Sequence, residues 1–260
     1  MLKNLIQQLV PSFILKKYKQ EKFYRLIRDF NIENEPDLII AQKLCTPKQT
    51  VIDIGANIGL YSKFLSPLAS KVLAVEPVPF TFQILSINIE RFKIENVTLY
   101  NNAISDHIGK ALITVPIQSG VRNYFRASIS SQEDDDDQSI HSVPIETTTL
   151  DSLCLDHAEK ISLIKCDVEG HELQCVLGAE QIVKSHNPAW LIEISDDPDK
   201  SASSSFQLFE LMKKNRYRIF WFDGDILFER KTGDDSVNYF FLNNSHINLL
   251  IKTGVVITKL

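Results

Sequence analysis

Short apolar runs alternate with longer amphipathic segments from about Thr46 onward, and this alternation is the main structural signal in the chain. Apolar runs of about four to eight residues are typical of buried strands, whereas apolar residues spaced three to four apart indicate helices. The predicted strands are 51–54, 72–75, 97–100, 161–166, 190–194, 217–222 and 238–242. The predicted helices are 59–67, 79–93, 171–185 and 203–214. This order favours an α/β fold with a mostly parallel seven-stranded sheet and helices on both faces.

The end of the chain departs from the alternation, because no convincing helix separates the runs 217–222 and 238–242. The stretch Asp223-Gly224-Asp225 gives a turn signal there instead. We therefore expect the last strand to be antiparallel and to be reached through a hairpin-like connection.

An insertion of roughly residues 104–150 lies between the third and fourth predicted strands. Its runs 111–116 and 143–148 alternate apolar and polar residues, so they predict an added hairpin near the rim of the active site. The acidic run 134–137 between them reads as a solvated loop, since adjacent carboxylates lack the spacing of a calcium loop.

The first 45 residues predict a helical N-terminal extension, and residues 46–260 the main domain. Up to about Asn34, apolar residues recur at helical spacing, and cations are frequent at Lys16, Lys17, Lys19, Lys22, Arg25 and Arg28. An amphipathic extension with solvated charges is the favoured interpretation. The alternative is a surface that contacts an acidic substrate or, as a peripheral contact, anionic lipid headgroups.

Composition limits the class of protein. The chain has 260 residues, 44% of them hydrophobic, and a net charge of −5, which fits one α/β domain with additions and gives no case for a nucleic-acid partner. No secretory leader stands out, and no apolar segment is long enough for a transmembrane helix. We therefore expect a cytoplasmic location.

Candidate chemistry begins where the first two strands end. The first strand ends in Asp53, a loop with Gly55 and Gly59 follows, and the second strand ends in Glu76. Glycines let the backbone approach a ligand closely, and ligands of open α/β sheets bind beyond the carboxyl ends of the strands. A carboxylate such as Glu76 can accept two hydrogen bonds from a ribose diol, so the pattern predicts a nucleoside-containing cofactor.

The spacing of the glycines in the loop distinguishes between two nucleoside-containing cofactors, a dinucleotide and S-adenosylmethionine. Dinucleotides are typically bound by G-x-G-x-x-G, whereas this loop reads D-x-G-x-N-x-G from Asp53 to Gly59. The acidic Asp53 would repel a phosphate there, which disfavours a nicotinamide dinucleotide. S-adenosylmethionine has no phosphate and carries positive charge on its sulfonium and ammonium groups, so it is the favoured cofactor.

Several motifs together resemble the FkbM-type methyltransferases, within the class I fold that uses S-adenosylmethionine. They cover most of the chain from about residue 48 to 195 and read VIDIGANIGLYS (51–62), AVEP (74–77), NNAISD (101–106), TTLDSL (148–153), IKCDVEGHELQCVLG (164–178) and LIEI (191–194). The resemblance implies a Rossmann-like sheet. It also implies cofactor contacts from Asp53, Gly55, Asn57, Gly59, Glu76, Pro77, Asn102 and Ala103. Among these, Asn102 and the backbone of Ala103 would contact the adenine.

The segment 167–171 is the candidate for catalysis, because the strand before it delivers Asp167 to the edge of the sheet where the cofactor is expected. A hydroxyl acceptor benefits from a base, and Asp167, Glu169 or His171 could supply it. Glu193, at the end of the next strand, could act with them or share a divalent metal ion with Asp167. The alternatives are structural: Asp167 would cap a helix, and Glu169 would complement the helix dipole.

The predicted activity is methyl transfer from S-adenosylmethionine to a hydroxyl oxygen. The resemblance implies a sugar in a glycan or glycolipid, or a secondary metabolite, as the acceptor. Two alternatives remain open: a nitrogen acceptor on the same fold, and a binding subunit without turnover. The four ionisable residues Asp167, Glu169, His171 and Glu193 at one sheet edge weigh against the second alternative.

Overall fold

The structure is a computed structural model that describes residues 12–118, 121–122, 128–130, 140–155 and 159–258. The strands of the main sheet are β1 Thr50–Ile54, β2 Lys71–Val75, β3 Val97–Tyr100, β9 Ile161–Cys166, β10 Ala189–Glu193, β11 Arg218–Phe222, β12 Ile226–Glu229, β13 Asn238–Leu242 and β14 Val256–Thr258. A second sheet holds β4 Ala103–Ile104, β5 Gly109–Gln118, β6 Val121–Arg122, β7 Ser128–Ser130 and β8 Ile140–Thr148.

The helices are α1 Ser12–Arg28, α2 Pro36–Leu44, α3 Leu60–Leu65, α4 Pro79–Arg91, α5 Leu150–Leu153, α6 Glu172–Leu177, α7 Glu180–Ser185, α8 Ser204–Lys214 and α9 Asn244–Lys252. Short 3₁₀ helices cover Ile32–Asn34 and Ser66–Leu68. None of the helices in the described ranges combines the length and the hydropathy that crossing a bilayer requires.

The main sheet confirms the predicted Rossmann-like α/β class. Its strand order is β14-β12-β11-β13-β10-β9-β1-β2-β3, and the five strands β3, β2, β1, β9 and β10 are parallel. All seven predicted strands are present, but the sheet has nine. The two additional strands, β12 and β14, are short and lie at one edge, where few apolar residues are needed to form a strand.

The predicted antiparallel end strand is confirmed, since β13 pairs antiparallel with both β10 and β11. The turn at 223–225 has a different role from the one expected. It leads from β11 into β12, which pairs with β11 on the side away from β13. Asp223 stabilises this turn, because its Oδ1 accepts the backbone N–H groups of Asp225 and Ile226 at 2.9 and 2.7 Å.

The insertion forms the predicted antiparallel pair, with Gly109 opposite Thr147 and Pro116 opposite Ile140. It contacts the main domain through β4, which pairs parallel with the end of β8. The acidic run 134–137 lies outside the described residues.

The predicted helix 171–185 is divided into α6 and α7 at Gly178. A Cβ atom at Gly178 would lie 2.0 Å from the backbone oxygen of Ser105, so only glycine fits this close approach. The carboxylate of Asp151 accepts the N–H groups of Gln181 and Ile182 at 2.9 and 3.0 Å and thereby caps α7.

The N-terminal region packs on the main domain at two places. Helix α2 buries Leu38, Ile40, Ala41 and Leu44 in a core that also contains Val51 of β1. Helix α1 contacts α4, where Tyr24 stacks on Phe92 at 4.7 Å and Glu21 accepts a hydrogen bond from Arg91 at 2.9 Å. The domain boundary at residue 45 and a contact of α1 with anionic lipid stay predictions.

Candidate active site

Two neighbouring cavities lie at the carboxyl ends of the parallel strands. The first cavity is lined by the turns after β1, β2 and β9, by the start of β4 and by Ile113 and Ile129 of the insertion. Four residues expected to contact the cofactor line it at its β2 and β4 side: Glu76, Pro77, Asn102 and Ala103. The sequence prediction therefore brought together residues that share one cavity.

Glu76 is the fixed acceptor of the first cavity. It is 5% exposed, and its Oε1 and Oε2 accept the backbone N–H groups of Val78 and Asn57, each at 2.9 Å. Burial raises the pKa of Glu76 to about 7, although these two donors oppose the shift. Each carboxylate oxygen keeps a further lone pair that can accept a hydrogen bond from a ligand.

The loop after β1 approaches β9 backbone to backbone. Gly55 has φ +74°, and a Cβ there would lie 1.8 Å from the backbone oxygen of Asp167. Any other residue would push the two strand ends apart. Asn57 also has positive φ, 51°, which asparagine tolerates better than most residues. Gly59, with φ +96°, is the N-cap of α3, packs towards Leu85 and lines neither cavity.

Asn101 supports this site although the sequence prediction did not include it. Its Nδ2 donates to the backbone oxygens of Glu76 and Pro77 at 2.8 and 3.1 Å. The side chain therefore fixes the turn that presents the Glu76 carboxylate. The sequence feature that could have identified this role is the pair Asn101-Asn102 directly after a strand, because asparagine at such a position commonly stabilises a turn.

The second cavity lies on the other side of the β1 loop and extends under the N-terminal helix. Buried Asp53 and Lys165 line its inner part, and Leu26, Ile27 and Phe30 line the part beside α1. Further polar lining comes from Tyr61, whose hydroxyl donates to Glu35 at 2.8 Å, from Glu35 itself and from Asn238 of β13.

Lys165 carries the positive charge at the centre of this cluster. It is the register partner of Asp53 on the adjacent strand, and its Nζ donates to Asp167 Oδ2 at 2.9 Å. The Tyr61 ring lies 5.0 Å from the same Nζ. Burial opposes the charged form, but Asp167 and Asp53 outweigh it and raise the pKa of Lys165. A lysine in a strand with six buried residues needs such partners, which was the overlooked sequence signal.

Asp53 combines burial with an unused acceptor. It is 0% exposed, and its Oδ2 accepts a hydrogen bond from Ser62 Oγ at 2.6 Å. Within the described part of the chain, its Oδ1 has no hydrogen-bond partner, and the same holds for Asn57 Oδ1. Burial raises the pKa of Asp53, and Lys165 opposes that shift.

Four residues line both cavities: Gly55, Asn57, Asp167 and Glu193. Asp167 and Glu193 are the two carboxylates among them. Burial, followed by repulsion from Asp167, raises the pKa of Glu193 to about 7. Glu193 is therefore a carboxylate that gains and loses a proton near neutral pH, which is the property required of a general base.

The other two candidates for catalysis lie apart from this junction. Glu169 lines the first cavity only and has positive φ, 54°. His171 lines neither cavity, and its Nε2 lies 3.0 Å from Ser105 Oγ. Burial lowers the pKa of His171, so the neutral imidazole is favoured in this contact.

The donors do not fit the divalent cation that the sequence suggested as an alternative. Asp167 is already ion-paired with Lys165, and the positive charge of this lysine would repel a divalent cation bound beside it. Within the described ranges, no three His, Cys, Asp or Glu side chains come together as metal ligands.

Parallel strands with a glycine turn after β1 and a buried carboxylate after β2 define a Rossmann-like α/β protein with a nucleoside-type site. The family model of the methyltransferase FkbM domain matches residues 53–219, well over half of the chain. The protein therefore belongs to the FkbM methyltransferase family, which confirms the resemblance seen in the motifs.

Three further proteins are similar to the chain at lower identity. Methyltransferase 1 of Beauveria bassiana (strain ARSEF 2860) is 24% identical over 144 residues, which are 50% of this chain and 58% of that relative. A crystal structure of methyltransferase FkbM from Methylobacillus flagellatus KT is 17% identical, with a TM-score of 0.49, over 75% of this chain and 44% of the other. An rRNA methylase from Streptococcus thermophilus is 11% identical, with a TM-score of 0.44, over 79% and 91%. Likeness at this level carries no information on substrates.

Proposed function

We propose that the protein transfers a methyl group from S-adenosylmethionine to a hydroxyl oxygen. The observation that carries this proposal is the carboxylate of Glu76, held by two backbone N–H groups in a cavity that adjoins Asp167 and Glu193. Methyl transfer to a hydroxyl needs a site for the nucleoside part of the cofactor and a carboxylate that can take the hydroxyl proton. Glu76 offers the first and Glu193 the second, at the same edge of the sheet.

The residues present fit this cofactor. The free lone pairs of Glu76 suit the ribose diol, and Asn102 with the Ala103 backbone suits the adenine edge at the same end of the first cavity. The buried oxygen Asn57 Oδ1, which lacks a donor within the described residues and lines the first cavity, suits the ammonium group of the cofactor. When bound, S-adenosylmethionine supplies an electrophilic methyl group on a sulfonium.

The reaction itself places three demands on this chain. The acceptor oxygen must be held in line with the methyl group, which accounts for much of the acceleration in such displacements. Glu193 accepts the hydroxyl proton, because its pKa of about 7 lets it be ionised at neutral pH. Asp167, whose charge is balanced by Lys165, orients the acceptor and favours positive charge at the junction.

The test is a labelled-methyl transfer screen with sugars, glycolipids and small hydroxylated metabolites, followed by mass spectrometry of the product. General bases contribute about 10²–10⁴-fold, so we expect Glu193→Gln to lower kcat at least about 100-fold. With the wild-type protein, kcat should fall as the pH drops below about 7, since protonated Glu193 cannot act as a base.

Two controls make this result specific. Glu193→Gln should bind S-adenosylhomocysteine with wild-type affinity, and Glu90→Gln, an exposed change on α4, should leave kcat and binding unchanged. Methyl groups found on nitrogen would contradict the hydroxyl acceptor. Wild-type turnover in Glu193→Gln would remove Glu193 from the mechanism.

A further inference from the structure

We propose that the second cavity binds the methyl acceptor, and that it selects an uncharged hydroxyl compound with an apolar portion over an anionic one. This inference rests on the proposed function, because it assigns the first cavity to the methyl donor. Beyond the proposed function, it states where the acceptor binds and that the acceptor is uncharged.

The position of the second cavity is the first reason. Donor and acceptor must meet at one point for an in-line transfer, and the two cavities share Gly55, Asn57, Asp167 and Glu193. The second cavity extends from this junction towards the surface, since it is lined both by buried Asp53 and by Leu26, which is 54% exposed. It therefore offers a route from solvent to the reacting carboxylate.

An unsatisfied buried group is the second reason. Asp53 is fully buried, lines the second cavity and has an Oδ1 atom without a partner within the described residues. Buried acceptors are hydrogen-bonded in the great majority of native structures. A hydroxyl group of an acceptor bound in this space would satisfy it.

Charge decides against an anionic acceptor. Four carboxylates line the second cavity, those of Glu35, Asp53, Asp167 and Glu193, and among the described residues that line it Lys165 is the one cation. A phosphate or carboxylate brought into this space would be repelled at short range in a poorly screened site.

Existing partners also disfavour a cationic acceptor. Glu35 accepts the Tyr61 hydroxyl at 2.8 Å, and Asp167 accepts Lys165 at 2.9 Å. Lys165 is also the register partner of Asp53 on the adjacent strand, so a second cation beside Asp53 would be repelled. These groups present oxygen acceptors for hydroxyl protons more readily than free charge for an ammonium.

The apolar wall of the cavity indicates the rest of the ligand. Leu26, Ile27 and Phe30 form this wall beside α1. They lie outside residues 53–219, the segment that matches the family model, as do Glu35 and Asn238. The part of the acceptor site beside α1 is therefore built from residues outside the family-defining segment, and an alkyl or ring surface of the acceptor would pack there.

A matched series of glycosides tests the charge selection. Hexyl β-D-glucoside, hexyl β-D-glucuronide and hexyl β-D-glucosaminide share one alkyl group and differ in charge. We would titrate each by calorimetry, below its micelle-forming concentration, into protein saturated with S-adenosylhomocysteine. We expect the glucoside to bind at least about tenfold more tightly than the glucuronide and more tightly than the glucosaminide.

Variants locate the binding. Leu26→Asp should weaken glucoside binding at least about tenfold, whereas Leu177→Asp, an exposed leucine of a different groove, should not. Glu35→Gln can keep the Tyr61 hydrogen bond but removes a negative charge. It should therefore reduce the difference in affinity between the glucoside and the glucuronide. All three variants should bind S-adenosylhomocysteine like the wild-type protein.

Four results would overturn the inference: competition between the glucoside and S-adenosylhomocysteine, equal or tighter binding of the glucuronide, tighter binding of the glucosaminide, or no binding of the glucoside. Failure of the wild-type protein to bind S-adenosylhomocysteine would instead overturn the proposed function. The two failures are therefore distinguishable in the same titration.

Discussion

The two cavities at the sheet edge are built by different parts of the chain. The first cavity is formed by turns that directly follow strands, so that Glu76 is held by backbone groups of Asn57 and Val78. The second cavity joins side chains far apart in sequence, from Leu26 on α1 to Asn238 on β13. This difference indicates that the donor site is a property of the fold, whereas the acceptor site depends on the additions to it.

The largest expected effect concerns Lys165, which supports the junction from the second cavity. Lys165→Met removes the cation from a partly buried ion pair with Asp167 and leaves the fully buried Asp53 without its cation. Breaking a fully buried pair costs about 3–5 kcal/mol of unfolding free energy, and we expect a loss towards the lower end of this range, because Asp167 keeps some contact with water. Chemical denaturation at pH 7 measures this loss. Because lower pH protonates the abandoned carboxylates, the loss should shrink between pH 7 and pH 5. A pH-independent loss would show that Lys165 acts through packing alone.

A smaller effect, confined to the first cavity, is expected from Glu76→Gln. Hydrogen bonds to charged groups contribute about 1.5–3 kcal/mol, so S-adenosylhomocysteine should bind about 10- to 100-fold more weakly by calorimetry. Glucoside binding in the second cavity should change little. Since Glu76 also holds the loop, thermal unfolding of the variant should be measured beside Glu90→Gln. Unchanged affinity for S-adenosylhomocysteine would contradict the role of Glu76.

The smallest expected effect comes from Asn102→Ala, at the far end of the first cavity. Loss of one neutral hydrogen bond costs about 0.5–1.5 kcal/mol, so we expect affinity for S-adenosylhomocysteine to fall about two- to tenfold. S-inosylhomocysteine, which lacks the adenine amino group, provides the control ligand. Its affinity should be less sensitive to this variant, and equal sensitivity would remove Asn102 from adenine recognition.

Local sequence signals located several residues that line the first cavity, because these residues follow predicted strands directly. The strands β1 and β2 can be recognised in the sequence by their apolar runs. The same reasoning predicted seven strands, but it missed α9 and the short edge strands β12 and β14.

The second cavity could not be predicted in this way. Its wall requires knowing that α1 packs near the end of β1, which is a tertiary contact without a local pattern. His171 shows the reverse problem: its motif placed it at the sheet edge, yet its side chain turns to Ser105. The sequence pattern predicts which backbone segments lie at the edge of the sheet. The direction of a side chain there depends on contacts with residues from distant elements.

The most direct test of the central claim is a titration of the isotope-labelled protein with S-adenosylhomocysteine, followed through the backbone amide signals. The account predicts the largest shifts at Asn57, Val78 and Ala103, around the first cavity, and small shifts at Phe30 and Asn238 in the outer part of the second. The largest shifts at Phe30 and Asn238, with none at Val78 and Ala103, would contradict it.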